Sequence, residues 1–428
     1  LNGSPFKTRE VFQVLCYLLS STCFFEVDYI KCKKEYWFVE RSEVMEQGVF
    51  QIGPIRPPSE ANSLLLRVTE NCPWNKCKFC MLYKNSSFHT RSVDEVKKDI
   101  DVMAEYRDRI LEHLHQGEYD MQAIRQEYLS MPTDDARICY QMVFTWLTEG
   151  DRQAVFLQDA NTLVLRPEWL IEIVRYVRER FPEIQRITSY GRANTLARIS
   201  QEDFKSLREA GLDRIHSGYE SGSDKVLQLI SKGATQEEEI IGGKKVKEAG
   251  IELSIYFMPG VGGKALSHEN AIETAKVINE VNPDFVRLRT FILRTGSLME
   301  ELRDSGMYQE QRDIDKLVEI RQMLAHIDPK RAHGKLASDH IINLLQEVTG
   351  YLDKDLSSML EYIDSFLALP EKEQKQYQLA RRMGFPLDWK YLYRLQPEDQ
   401  ARVEEMSKNI VDEKEWEALL HRFTDRYI

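Results

Sequence analysis

The chain has 428 residues, of which 42% are hydrophobic and 30% charged. That length exceeds a single small module and suffices for one large core with appendages. Lys and Arg total 58 against 69 Asp and Glu, a formal net charge of -11. The overall field therefore repels polyanions and argues against generic nucleic-acid binding. No run of about 18 apolar residues occurs, so no transmembrane helix is expected. The opening LNGSPFKTRE lacks a long apolar signal core, so a cytoplasmic location is expected.

Three regions follow in chain order. Residues 1–60 mix apolar and aromatic patches and close on GPIRPP, whose prolines disfavour helix before them. They are expected to form a small N-terminal extension, a helix with a hairpin. Residues 61–300 alternate short apolar strands with longer helical stretches. Strands are expected at 63–69, 153–158, 186–190, 213–219, 251–257 and 284–290. Between them, PEWLIEIVRYVRERF, QEDFKSLREAG and HENAIETAKVINEVN read as helices, with Ser200 opening the second and Gly211 closing it. Strands alternating with helices predict a parallel α/β sheet with right-handed crossovers. Six such units favour a barrel or partial barrel. The long stretch between the first two strands reads as a helical insertion over about 107–150. Residues 301–428 read as a helical C-terminal region, broken near Pro329, Gly350, Pro370, Pro386 and Pro397.

The cysteines carry the chemistry. There are seven: Cys16, Cys23, Cys32, Cys72, Cys77, Cys80 and Cys139. An odd count spread over this length does not make a disulfide scaffold. Cys72, Cys77 and Cys80 fall in RVTENCPWNKCKFCMLYKN with Cys-x4-Cys-x2-Cys spacing. They follow a predicted strand, at the end where barrel active sites sit. Three thiolates on one short loop can hold three irons of a cubane cluster, leaving the fourth iron open. Zinc is the competing metal, with His89 the nearest fourth ligand, and unligated structural cysteines are the plainest alternative. Cys16, Cys23 and Cys32 are too widely spaced to favour a second cluster. Cys139 reads as helix core.

On these residues the sequence resembles the radical SAM superfamily over roughly residues 55–345, on its elongator and methylthiotransferase-like branch. The family's loop is Cys-x3-Cys-x2-Cys, so this chain carries one extra residue, which points to a distinct subgroup. The resemblance implies a partial (β/α)6 TIM-like barrel. It implies that Cys72, Cys77 and Cys80 bind a [4Fe-4S] cluster whose open iron takes S-adenosyl-L-methionine. A donor such as flavodoxin or ferredoxin would supply an electron. Reductive cleavage would then give a 5′-deoxyadenosyl radical that abstracts hydrogen from an unidentified small-molecule or peptide substrate.

Site residues follow from the same resemblance. Phe79 matches an aromatic position near the adenine. In FLQDANTL, Asp159 would face the methionine amino group, supported by Gln158 and Asn161. Tyr190 and Arg192 end the third strand facing the cavity. In GYESGSDK, Glu220 and Ser221 would bind ribose or carboxylate, with Ser223 and Asp224 opening a helix. Lys232 reads as a solvated surface lysine. Gly260, with Gly262 and Gly263, would let backbone approach the adenine. Arg287 and Arg289 alternate with apolar residues and so share one strand face; they would hold an anionic substrate if it points inward and otherwise pair with surface acids. His340 falls in a closing segment, ASDHIINLLQEVTGYLDKD, shared with a group that also has the 55–61 lead-in, and reads as helix surface or core. No cobalamin-binding domain is expected. Two other functions compete: a non-catalytic iron–sulfur or zinc-binding barrel, and a tRNA-modifying radical enzyme.

Overall fold

The computed structural model describes residues 50–150, 152–385, 388–408, 410 and 412–424. The expected helix and hairpin before residue 50, Cys16, Cys23, Cys32 and the break at Pro386 lie outside the described residues. Twelve strands appear in chain order among the described residues: β1 Leu64–Arg67, β2 Thr69–Glu70, β3 His89–Thr90, β4 Leu114–His115, β5 Glu118–Tyr119, β6 Ala154–Gln158, β7 Arg186–Tyr190, β8 Arg214–Glu220, β9 Glu252–Phe257, β10 Phe285–Leu288, β11 Lys335–Ala337 and β12 Gly350–Tyr351. The main sheet has the order β1-β6-β7-β8-β9-β10-β11-β12. Every pairing from β1 to β11 is parallel, and β12 runs antiparallel to β11. This is an alternating β/α core of the partial-barrel kind, followed by a helical C-terminal region.

The six expected strands are all present. β11 and β12 carry the sheet past residue 300, where the sequence suggested helix alone. Three and two residues long, they are too short to show a period. The segment before β6 is helical as expected: Val93–Glu112, Met121–Ser130 and Asp134–Thr148. Its first helix starts at Val93, well before residue 107, because Ser92 and Glu95 form a capping box there. Helix Gln201–Ala210 opens at Ser200, whose hydroxyl accepts the Asp203 N–H at 3.0 Å, and stops at Gly211 with φ 111°.

Strand parity divides the sheet into two chemistries. Leu64, Leu66, Val155, Leu157, Ile187, Ile215, Leu253, Ile255, Val286 and Leu288 face the helices and join one large apolar core. Alternate residues point the other way, and many are polar: Arg67, Gln158, Thr188, Tyr190, His216, Ser254, Tyr256 and Arg287. The lead-in 50–60 crosses this polar face. Gly53 N–H donates to Gln158 Oε1 at 2.9 Å, and Gln158 Nε2 donates back to the Gly53 and Ile55 carbonyls. Glu60 is fully buried, accepts from Ser63 and lies 3.1 Å from His216 Nε2. Burial notwithstanding, His216 and Ser63 hold the Glu60 carboxyl below its ordinary range, while burial lowers His216. The lead-in therefore plugs the lower interior with a charged, hydrogen-bonded stopper.

Helices Glu371–Arg382, Pro397–Lys408 and Glu413–Thr424 share their own apolar core around Trp416, Leu379, Val403 and Leu420. They dock on helix Asp313–Ala325 through Arg382 and Asp313, 2.7 Å apart and both buried, and on the loop before it through Glu310 and His421 at 3.4 Å. Burial, with the Asp313 charge, pushes Glu417 up to about 7. The Glu310 hydrogen bond raises His421. A raised folded pKa gives stability that is complete below the unfolded value and lost as pH climbs through the folded one. For Glu417 that window runs from 4.5 to about 7, a loss of roughly 3 kcal/mol at most. His421 adds to it in the same direction above 6.5. Thermal denaturation should therefore show Glu417→Gln more stable than wild type at pH 8 and little changed at pH 5. Equal midpoints at pH 8 would contradict this account. Among the described residues, no helix is long and apolar enough to cross a membrane.

Candidate active site

Because the strands run parallel, their C-terminal ends gather on one rim. The cysteine loop follows β2, Asp159 follows β6, Tyr190 ends β7, Glu220 ends β8, and Arg289 follows β10. The loop bends through two left-handed asparagines, Asn71 at φ 68° and Asn75 at φ 46°, a residue type that tolerates this region. The Asn75 N–H lies 3.5 Å from Cys72 Sγ. Cys72, Cys77 and Cys80 are all partly buried and free. Burial raises Cys77 and Cys80, and Lys232 and Arg192 counter it at Cys77.

Asp159 anchors this loop. Its carboxylate accepts from Arg67 Nη2 at 3.0 Å, from the Asn71 N–H at 2.9 Å and from the Tyr83 hydroxyl. These donors bracket the three cysteines in sequence. Asp159 is fully buried, and burial lifts its carboxyl against the pull of Tyr83 and Arg67. These three donors give Asp159 a structural hold on the base of the loop. Gln158 is spent on the lead-in. Asn161 is spent on Thr195 Oγ1 at 3.0 Å and the Arg192 N–H at 2.9 Å.

The loop's other side docks on residues 230–233. Lys78 N–H donates to the Ile230 carbonyl at 2.9 Å and Trp74 Nε1 to the Ser231 carbonyl at 2.8 Å. A Cβ on Gly233 would lie 2.3 Å from the Trp74 ring, so only glycine fits, and φ +67° demands it as well. The Arg192 guanidinium sits 5.1 Å from the Trp74 ring and donates to the Lys232 carbonyl. Phe79 packs with a small apolar cluster that includes Val226, Ile230, Met258 and Phe291.

Lys232 is no surface lysine. It is 7% exposed, pairs with Glu220 at 2.9 Å and lies 5.9 Å from the Phe79 ring. Burial works against its charge, yet Glu220 and Cys77 hold its pKa above the ordinary value. The pair needs a β8 irregularity between Gly218 and Glu220, where Glu220 adopts φ 68°. A side chain at 218 would strike Glu220 Oε1, a Cβ lying 2.4 Å away. Left-handed backbone at a non-glycine residue is costly and concentrates at functional sites. Ser221 is buried and accepts the Ser223 N–H at 3.0 Å, while Ser223 caps helix Asp224–Leu229.

Other expected residues divide. Gly260 does not line an open cleft: its N–H donates to Glu319 at 3.0 Å, its carbonyl accepts from Tyr308 at 2.8 Å, and the Lys316 chain packs on it. Gly262 and Gly263 pack against Val226, Tyr308 and the Gln309 carbonyl. Arg287 is neutralised by Asp339 at 2.7 Å and also donates to Ser254. His340 sits in a loop after β11, not on a helix, and burial together with Arg289 lowers it to about 4. His89 pairs with Glu70 in the β2–β3 hairpin, exposed. Among the described residues, no group of three or more His, Cys, Asp or Glu side chains, the three loop cysteines included, is gathered in metal-ligating geometry. Cys139 is buried in the core, and burial pushes its thiol up. Arg67, Tyr83, Glu60 and Tyr256 were missed in the sequence. For Arg67 and Tyr256, polar residues at inward parity in otherwise apolar strands were the available signal; Tyr83 and Glu60 lie outside the strands and carried no such signal.

The structure thus presents a parallel sheet with a three-cysteine loop on its C-terminal rim. The family model of the radical SAM superfamily matches residues 66–275, a little under half of the chain. Curated relatives are distant. The chain is 22% identical over 132 residues to the tRNA uridine(34) acetyltransferase of Methanocaldococcus infernus, covering 31% of this chain and 24% of that protein. It is 24% identical over 129 residues to the heme chaperone HemW of Bacillus subtilis, covering 30% of this chain and 34% of that one. The chain thus spans only about a quarter to a third of the length of these relatives. Among solved structures, methylornithine synthase (PylB) aligns with TM-score 0.39 and 14% identity, over 72% of this chain and 84% of that one.

Proposed function

We propose that the chain is a radical SAM enzyme acting on an unidentified substrate, with Cys72, Cys77 and Cys80 as ligands of a [4Fe-4S] cluster and S-adenosylmethionine bound beside it. The observation that carries this reading is the pinned three-cysteine loop on the rim, facing Lys232 and Arg192. Three soft thiols fit an iron–sulfur cluster, and two cations suit the net negative charge that such a set carries. When bound and reduced, the group supplies one electron to the cofactor's sulfonium, which parts into methionine and a hydrogen-abstracting adenosyl fragment. A donor such as flavodoxin or ferredoxin would provide that electron.

The chain's own residues do the placing. Asp159 and Arg67 fix the loop's base, and Trp74 on Gly233 fixes its far side. Phe79 presents an apolar wall from within the loop. Glu220, pre-strained and held by Lys232, offers a carboxylate at the rim for a ribose hydroxyl. The lead-in closes the interior below and excludes water from beneath the site. The unit so described is a partial (β/α)6 barrel with a helical insertion, an N-terminal extension and a C-terminal helical region.

A tRNA substrate is the second reading. It is favoured by the likeness to the tRNA uridine(34) acetyltransferase and to tRNA-2-methylthio-N(6)-dimethylallyladenosine synthase of Desulforamulus reducens, 23% identical over 124 residues, 29% of this chain and 27% of that one. The net charge of -11 weighs against it. The first reading is tested by anaerobic incubation of the iron-loaded chain with dithionite and S-adenosylmethionine. Methionine and 5′-deoxyadenosine should form together, and Cys77→Ala should form neither. Fully iron-loaded protein that yields no 5′-deoxyadenosine would overturn the reading.

A further inference from the structure

Arg289 stands out on the rim. Its backbone is rigid: its N–H donates to the Phe257 carbonyl at 2.9 Å. The next residue, Thr290, donates to Asn343 Oδ1 through both N–H and hydroxyl, at 3.0 and 2.9 Å. Asn343 in turn donates to the Leu288 carbonyl at 2.8 Å. This clamp joins the β10 end to the loop that carries His340. Yet among the described residues the Arg289 guanidinium makes no hydrogen bond or ion pair, whereas its neighbour in parity, Arg287, is satisfied by Asp339 and Ser254.

The surroundings are also short of acceptors. The Tyr256 hydroxyl is buried and has no partner. Tyr190 and Tyr256 both feel the Arg289 charge. The Ile342 N–H donates to His340 Nδ1 at 3.3 Å, which leaves the proton on Nε2 of the neutral ring. The three carboxylates that reach this neighbourhood are already partnered, Glu220 by Lys232, Asp339 by Arg287, and Glu60 by Ser63 and His216. A half-buried guanidinium with idle hydroxyl donors around it, and no free carboxylate, is a built seat for an anion.

We propose that Arg289, with Tyr256, Tyr190 and His340, binds one anionic group of the substrate, a carboxylate or a phosphate on a small molecule. The proposal rests on the rim being the reaction site. It gives Arg289 and Tyr190, cavity-facing in the sequence reading, to the substrate and not to the cofactor. The cofactor brings a carboxylate of its own, so the test separates the two sources.

The experiment uses the full chain, anaerobically loaded with iron. Inorganic phosphate and malonate are titrated at constant ionic strength, with binding read by calorimetry and by thermal midpoint. S-adenosylhomocysteine is titrated in parallel. One of the two anions should bind wild type, at least tenfold more weakly to Arg289→Gln and several-fold more weakly to Tyr256→Phe. S-adenosylhomocysteine affinity should change less than twofold. The Tyr256→Phe variant keeps the test alive if Arg289→Gln folds poorly. Anion binding that ignores both substitutions, or no anion binding by wild type, would overturn the seat. A tenfold loss of S-adenosylhomocysteine affinity in Arg289→Gln would overturn it too, by giving Arg289 to the cofactor. Arg289-dependent anion binding in a chain that never cleaves S-adenosylmethionine would uphold the seat while the radical reading fell.

Discussion

Asp159→Ala should lower the iron that the chain takes up on anaerobic reconstitution, without touching a cysteine. The substitution leaves the Arg67 guanidinium, the Tyr83 hydroxyl and the Asn71 N–H without their shared acceptor in a fully buried place. Breaking a buried ion pair by removing one partner costs about 3–5 kcal/mol, because the remaining charge stays uncompensated. Here the cost falls on the two ends of the cysteine loop. Iron per chain after anaerobic reconstitution should drop severalfold, with a lower unfolding midpoint. The double variant Arg67→Met, Asp159→Leu removes both charges and should regain most of the stability. It should not regain the iron, since the Asn71 and Tyr83 anchors are still lost. A single variant that keeps full iron would show that Asp159 does not hold the loop.

Glu220→Ala has a comparable effect through a different residue. Lys232 is 7% exposed, and Glu220 Oε1 is its charge partner at 2.9 Å. Removing that carboxylate leaves a buried ammonium facing the Phe79 ring, again at about 3–5 kcal/mol. Glu220→Gln retains an acceptor and should lose less. Part of the loss in the alanine variant is offset by nothing in the backbone, since alanine is as strained as glutamate at φ 68°. Denaturant unfolding of the two variants against wild type gives the comparison. Lys232→Met paired with Glu220→Ala should recover stability while cofactor affinity stays low. Equal stability of wild type and Glu220→Ala would mean that the pair contributes nothing.

These two residues also mark where the sequence could be read and where it could not. Strand RITSY matched β7 residue for residue, because alternating β-branched and polar residues carry their own period. Ser200 and Gly211 marked a helix start and stop for reasons local to the chain, a side-chain acceptor and a left-handed φ. Asp159 was legible as a carboxylate after a strand, but not as the meeting point of donors from 67, 71 and 83. That convergence belongs to tertiary packing. Lys232 follows a short helix and looks solvated in one dimension. Its burial depends on the space above Gly218 and on a strand irregularity two residues from it. The glycines of FMPGVGG were legible as points of close approach, yet what approaches Gly260 is Lys316 and Glu319 from a helix far along the chain. Arg289 was placed on the right face by parity. That its guanidinium is idle, while that of Arg287 is not, follows only from where Asp339 falls.

The central claim is that the three rim cysteines hold an iron–sulfur cluster with one iron open to S-adenosylmethionine. Electron paramagnetic resonance of the anaerobically reconstituted, dithionite-reduced chain tests it most directly, recorded with and without S-adenosylmethionine. The account predicts a [4Fe-4S]⁺ signal whose g-values shift when the cofactor is added, and its loss in Cys77→Ala. A cluster signal indifferent to the cofactor, or no iron-dependent signal at all, would contradict it.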